Sequence, residues 1–412
     1  MLIRLTAFVV LLLAATAPVL TRDGVSAATC DVTASPANVQ SRIDGAGDVV
    51  CLAPGVYSGP LVVYGKSGVT ISGAGTRETV IAGGKSDGII IINSDRVSVE
   101  DLMLYAGNPA NVYIGRSTGV VLRRVEIGAG GIGVHVDDAS TATLSKSFIY
   151  SMTGDGVLLR RGSGAVIESN WIVGNAGVGV SAVGNTGVTS LVRNIISGNR
   201  GPGVFAGVPP CADLPGASLT VPPCFTRDPA AFIASAQLTL DANIIQTSGS
   251  TGIVLFPGTR ATMRGNRVWH NHMTGLFAWG ADVTSSADDY DGNDEHAMEI
   301  RGYPDPRVVG PGYRGASARI DNTDIRNTLV WPQTGTLGGG VLAQGASVDL
   351  TNSRVYGNAG IAVSYQNGST GRVDGNAVHD NGGAAICLLG AGSVVVGANE
   401  VFRNATDKIG AC

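Results

Sequence analysis

The chain has 412 residues, 60 of them glycine, with 44% hydrophobic and only 15% charged residues and a net charge of −4. That balance excludes a disordered polyelectrolyte and fits a turn-dense, all-β globular protein. It also removes any electrostatic case for nucleic acid or anionic lipid as a partner.

The N-terminus reads as a secretory leader over residues 1–28: Arg4, an apolar run from Leu5 to Ala15, then the small residues Ser26-Ala27-Ala28. The apolar run is too short to span a bilayer comfortably, and no second apolar span follows. Residues 29–412 are then expected to form one exported domain, soluble, without membrane insertion and monomeric. It would be secreted, periplasmic or held at the cell surface. All six cysteines lie after the leader, and an even count in an exported chain favours disulfides. Proximity in sequence pairs Cys30 with Cys51, Cys211 with Cys224, and Cys387 with Cys412, although six cysteines allow fifteen connectivities. Metal ligation is the rival reading.

One cassette recurs down the chain: Asn, an apolar residue two positions on, a polar turn, then a small residue opening an apolar strand. It reads Asn170-Trp171-Ile172 with Gly179-Val180, and Asn194-Ile195-Ile196 with Gly203-Val204. It returns at Asn243 with Gly252-Ile253, at Asn266 with Gly275-Leu276, and at Asn376 with Ala385-Ile386. Neighbouring cassettes start 23 or 24 residues apart. Upstream, Ser147, Arg124 and Asp101 continue the register in the Asn position. A second Asn column follows five residues later at Asn175, Asn199, Asn271, Asn381 and Asn404. Runs this short cannot bury a face alone, so equivalent runs must stack into parallel sheets around a shared core. The two columns predict amide ladders, because an Asn side chain can bond the same atoms one turn away.

The Gly-Asn-x-x-x-x-Asn turns (265–271 and 375–381) and the opening segment Gly-Asp-Val-Val-Cys-Leu-Ala-Pro-Gly-Val-Tyr-Ser-Gly (47–59) resemble the right-handed parallel β-helix superfamily, the pectin-lyase-like proteins. The resemblance covers roughly residues 45–404. It implies a single-stranded solenoid of about 12–13 rungs and a polysaccharide as the partner.

Strand alternation places the residue after each Gly inward: Val134, Val157, Val180, Val204, Ile253, Leu276, Val341 and Ile361, with Ile386 after Ala385. One outer face then carries Phe205, Phe256, Phe277 and Trp279, with His135, Asp137 and Arg160 a few rungs earlier. Two insertions, about 208–235 and 281–317, leave the solenoid beside this face, and long loops on a rigid scaffold commonly carry binding sites. The aromatics read either as a platform for sugar rings or as a surface covered by an inserted loop.

Two constellations are candidates for catalysis. The first is His135, Asp137 and Asp138 with Asp155, Arg160 and Arg161 one rung later. By resemblance, a β-helix lyase needs a cation opposite a uronate carboxylate and a base for the adjacent proton. An ion pair of Arg160 with Asp137 is the structural alternative. The second lies in the acidic segment Asp288 to His296, where Asp291, Glu295 or His296 could act as acid or base. Asp289, Asp291 and Asn293 match three calcium-loop spacings, but Asp294 and Ile300 replace the Gly and Glu that an EF-hand requires. An irregular Ca²⁺ site or a solvated acidic loop remains. Asn322-Thr323-Asp324 imitates a polygalacturonase motif, yet the downstream Gly-His-Gly and Arg-x-Lys are missing. Asp305-Pro306 is followed by Arg307 rather than the His of alginate epimerases. The expected function is binding, with cleavage or epimerisation, of a polysaccharide. The alternative is a non-catalytic glycan-binding scaffold.

Overall fold

The structure is a computed structural model describing residues 29–45, 48–184, 187–207, 236–302, 315–330, 335 and 337–412. Among these residues the chain coils into a solenoid of about 14 turns, every ladder between strands being parallel. A typical turn contributes three short strands, one to each of three sheets. The turn from Thr141 to Arg160 shows the plan: Thr141–Ser145, then Phe148–Tyr150, then Val157–Arg160. Strands of the first kind form a fifteen-stranded sheet. The second and third kinds stack into two further faces. These merge where Met103–Gly115 and Glu126–Asp137 run unbroken around the corner between them.

The alternation expected from sequence holds. Val134, Val157, Val180, Val204, Ile253, Leu276, Val341 and Ile386 all point into the core at 0–1% exposure. Ile361 is the exception: Val363 pairs with Val341 and Ile386 and takes the inward position. The small residue opening that strand is Ala362, so Gly360 was a false landmark. At several other turns this position must be glycine. A Cβ on Gly179 would lie 2.5 Å from the Gly203 carbonyl oxygen, and one on Gly252 would lie 2.7 Å from that of Gly275.

The corners are held by buried amides. Asn170 donates from Nδ2 to the Leu144 carbonyl (2.8 Å) and from its backbone N–H to Asn194 Oδ1 (2.9 Å). Asn194, Asn243 and Asn266 repeat both bonds. In the second column Asn271, Asn358 and Asn381 make both bonds, while Asn175 donates its backbone N–H to Asn199 Oδ1 and Asn199 donates from Nδ2 to the Ile172 carbonyl. The bend itself falls on the preceding residue, which has a left-handed φ: Lys146, Ser169, Arg193 and Ala242 lie at 50–56°. This corrects the upstream register. Arg124 and Asp101 are bend residues (φ 53° and 57°), and Val125 and Leu102 take the inward position.

The second insertion is shorter than the sequence suggests. Asp282–Ser286, Asp289–Asp291 and His296–Arg301 are regular strands paired on both sides. They form a complete turn, with Asp288 in the Asn position and Tyr290, fully buried, in the inward position. Substitution at both landmarks hid it. The solenoid is left only after Gly302 and resumes by Ser317–Asp321. The 208–235 insertion lies outside the described residues, as do the leader and the Cys211–Cys224 pair. The disulfides Cys30–Cys51 and Cys387–Cys412 are present at the two ends. Near the N-terminal end the helix Val39–Gly45 buries Val39 and Ile43 against the first turns.

Replacing Asn243 by Ala removes acceptors from Asn194 and a donor from the Leu191 carbonyl. We expect a loss of at least about 3 kcal/mol in chemical denaturation. Asp288 accepts from Asn266 (2.7 Å) and Ser285 (2.6 Å), and burial raises its carboxyl above the ordinary 3.8. A raised carboxyl favours the protonated fold, so its contribution to stability is present at low pH and fades as pH rises. Asp288→Asn is therefore expected to raise the melting temperature at pH 8 and to change it little at pH 4.

Candidate functional site

The third sheet presents one outward column in unbroken register: Tyr113, His135, Leu158, Ser181, Phe205, Val254, Phe277, Glu299 and Leu342. A second column beside it includes Asp137, Arg160, Val183, Gly207, Trp279 and Arg301. From His135 to Glu299 is six strand spacings, or about 29 Å. Gly207 and Gly302, the last described residues before the two inserted segments, lie three turns apart along this sheet.

At one end Tyr113 and His135 meet edge to face, with ring centroids 5.3 Å apart. Gly115 makes this possible, since a Cβ there would lie 2.9 Å from the Tyr113 hydroxyl. His135 Nε2 is buried and makes no hydrogen bond, with Asp137 Oδ2 3.4 Å away, and burial pushes the imidazole below its ordinary 6.5. The Tyr113 phenol is pushed up by burial and by Asp137 and Asp138. Asp137, 2% exposed, is clamped by Arg161, whose Nε donates at 2.7 Å; the guanidinium also reaches Asp138 at 3.0 Å. The expected Arg160–Asp137 pair is thus replaced by Arg161–Asp137. The reason is the left-handed φ of Arg161 (46°), which folds its side chain back over the sheet edge. Arg160 has no ion pair among the described residues. Asp155, at the corner one turn on, accepts from the Val178 N–H at 2.8 Å, and burial pushes its carboxyl up to about 6.

Toward the middle the four aromatics form one cluster. Phe256 lies 5.3 Å from Phe205, 6.3 Å from Phe277 and 6.1 Å from Trp279, measured between ring centroids. All are partly exposed. They close over Val254, which is only 7% exposed although it points outward.

At the far end Glu299, 2% exposed, follows Phe277 in the column and is held by Arg301. Arg301 also covers the Phe277 ring, with Cζ 5.5 Å from the centroid. Burial raises the Glu299 carboxyl and lowers the His296 imidazole, whose Nδ1 is buried without a partner. One donor atom each from Glu295, His296 and Glu299 lies within 4.8 Å of the others.

The calcium reading of Asp289, Asp291 and Asn293 is overturned. Asp289 receives Arg326 at 3.1 and 2.9 Å, and Asp291 receives Arg326 at 3.3 Å and Asn327 at 2.8 Å, on the second sheet's face. Asn293 points inward and belongs to the amide ladder, accepting from Asn271 and donating to the Val268 carbonyl. Asp291 is for the same reason removed from the catalytic candidates. Asp321 and Asp324 are ordinary turn residues, bonded to Thr351 and Asn352 and to Arg354.

Tyr113 and Glu299 escaped the sequence reading. The alternation rule applied to Val112-Tyr113-Ile114 would have found the first. The second was hidden inside the segment taken for a loop.

A sequence profile described as "Right handed beta helix region" matches residues 61–207 and 312–412, more than half the chain. The chain belongs to the right-handed β-helix family. Among solved structures, this β-helix is similar to the A-modules of two mannuronan C-5 epimerases of Azotobacter vinelandii. AlgE6 is 18% identical with a TM-score of 0.53, covering 92% of this chain and 95% of that one. AlgE4 is 19% identical with a TM-score of 0.52, covering 90% and 96%. Tailspike protein 3 of bacteriophage CBA120 is 10% identical with a TM-score of 0.52, covering 93% of this β-helix and 60% of its own chain. At these identities the likeness is one of fold. No helix among the described residues of this β-helix is long and apolar enough to cross a membrane.

Proposed function

We propose that this exported β-helix binds a uronate-containing polysaccharide along the third-sheet groove and removes the proton next to a uronate carboxyl group. The observation that carries this reading is the His135–Tyr113 pair: an imidazole whose charged form burial disfavours, set against a phenol, with Asp137 Oδ2 3.4 Å from Nε2 and Arg160 and the Arg161–Asp137 clamp beside it. His135 takes the C5 proton. The electron pair of the broken C–H bond passes into the carboxylate, and the Arg160 guanidinium stabilises the charge that develops there, Arg161 being held by Asp137 and Asp138. The Tyr113 hydroxyl then donates its proton. Given to the C4 oxygen as its bond to the ring breaks, it yields an unsaturated uronate and a new chain end. A proton returned to C5 from the opposite face by water yields the epimer instead, since Tyr113 touches His135 and lies on the same side of the ring. Both outcomes share the first step.

The similarity to epimerases and a tailspike of the same fold supports a polysaccharide as the partner. The two disulfides and the leader-like N-terminus support export. The positive charge opposite the carboxylate comes from arginines, so activity is expected to survive chelation of calcium.

The test follows solvent deuterium entering C5, and ultraviolet absorbance of unsaturated ends, across a panel of uronate polymers. His135→Ala is expected to abolish both signals while the polymer still binds; retention of either signal overturns the role of His135. Because burial lowers the imidazole, the acid limb of kcat should lie below pH 6.5, and a limb above that value counts against His135 as the base. Phe256→Ala with Trp279→Ala is expected to weaken polymer binding about tenfold or more by calorimetry. Glycan binding without product in any assay would leave a binding module instead.

A further inference from the structure

We infer that the groove is built for a mixed chain, with a uronate at the His135 end and uncharged hexopyranose units across the aromatic section. The uronate half of this inference rests on the function proposed above.

The charges along the column carry the argument. At the His135 end Arg161 is committed to Asp137 and Asp138, and Arg160 and Arg116 beside them leave three guanidinium groups against two carboxylates, so this end is net cationic. From the Ser181 turn to the Phe277 turn, about 14 Å by strand spacing, the outward positions are Ser181, Val183, Phe205, Val254, Phe277 and Trp279. None carries a charge. The arginines among the described residues of these turns lie elsewhere: Arg193 and Arg200 at corners, Arg260 and Arg264 on the first sheet, and Arg267 on the second. Beyond the aromatics the column becomes acidic with Glu299 and the neighbouring Glu295. The nearest cation, Arg301, is already committed to Glu299.

A homopolymer of uronates would set a carboxylate on every unit. Several would then lie against the partly exposed rings of Phe205, Phe256, Phe277 and Trp279 with no counter-charge, and the next would approach Glu299. Burying an unpaired carboxylate is strongly unfavourable. Uncharged pyranose units have the opposite preference, since their C–H faces pack on aromatic rings. The columns are continuous and in register, so a single glycan strand lying along the solenoid axis would meet the cationic, aromatic and acidic sections in that order.

The experiment uses the full chain and three probes: a homopolyuronate, a linear polymer in which glucuronate units are separated by neutral hexoses, and a neutral cello-oligosaccharide. We expect kcat/KM about tenfold or more higher on the mixed polymer than on the homopolyuronate. The neutral oligosaccharide should bind, with affinity falling about tenfold in Trp279→Ala. Phe205→Lys, which places a cation in the uncharged section, should lower KM for the homopolyuronate; its melting temperature reports whether it folds. Equal or higher kcat/KM on the homopolyuronate overturns the inference, as does neutral-sugar affinity unchanged in both Trp279→Ala and Phe277→Ala. If no polymer exchanges its C5 proton, the proposed reaction fails. The neutral-oligosaccharide arm then still decides whether the aromatic section takes uncharged sugars.

Discussion

Each buried corner amide must find its partners in the turns above and below it, and this requirement ties the molecule together. Asn243 is bonded to Asn194 on one side and Asn266 on the other, and it reaches the Leu191 carbonyl as well. With the side chain out of water, an unmet donor or acceptor there is expensive. The strands therefore cannot slip by one residue relative to their neighbours without breaking bonds at both corners. Register, once held at the corners, fixes which residues share an outer column. The groove inherits its geometry from contacts on the opposite side of the backbone.

The same discipline explains how two reactive ends coexist on one face. His135 and Glu299 are 164 residues apart in sequence, yet they occupy one column because every intervening turn keeps its phase. Burial acts on both ends in the same sense, disfavouring charge. It lowers the imidazoles of His135 and His296 and raises the carboxyl of Glu299. What separates them is the disposition of arginine. At the first end Arg161 takes Asp137 and leaves Arg160 facing the groove; at the second Arg301 is bound to Glu299.

Much of this was legible in the sequence because the repeat writes the same physical role into the same letter. Asn marks the corners, and a small residue followed by a β-branched or long aliphatic one marks the inward strand. Reading failed where another residue fills the role. Asp288 accepts the ladder bonds that an Asn accepts elsewhere, and Tyr290 fills the inward volume of an Ile, so a full turn passed for a loop. Asn293 was read as a metal ligand because that turn was not recognised. Ile361 was misplaced because Ala362 stands where glycine usually does. The choice between Arg160 and Arg161 was beyond any pattern, being decided by one left-handed residue.

The long strands Met103–Gly115 and Glu126–Asp137 have a consequence for how such a molecule changes over time. They bind two faces into a continuous ribbon at the His135 end itself, since they carry Tyr113 and His135, whereas the later turns are built of separate short strands. Gain or loss of an entire coil beyond Arg160 would keep every phase and would alter only the length of the outward columns, in steps of one strand spacing. Gain or loss of part of a coil would rotate all later side chains away from the trough. The length of the outer face is thus a whole-number trait of this architecture, free to vary at the aromatic and acidic end while the imidazole end stays put.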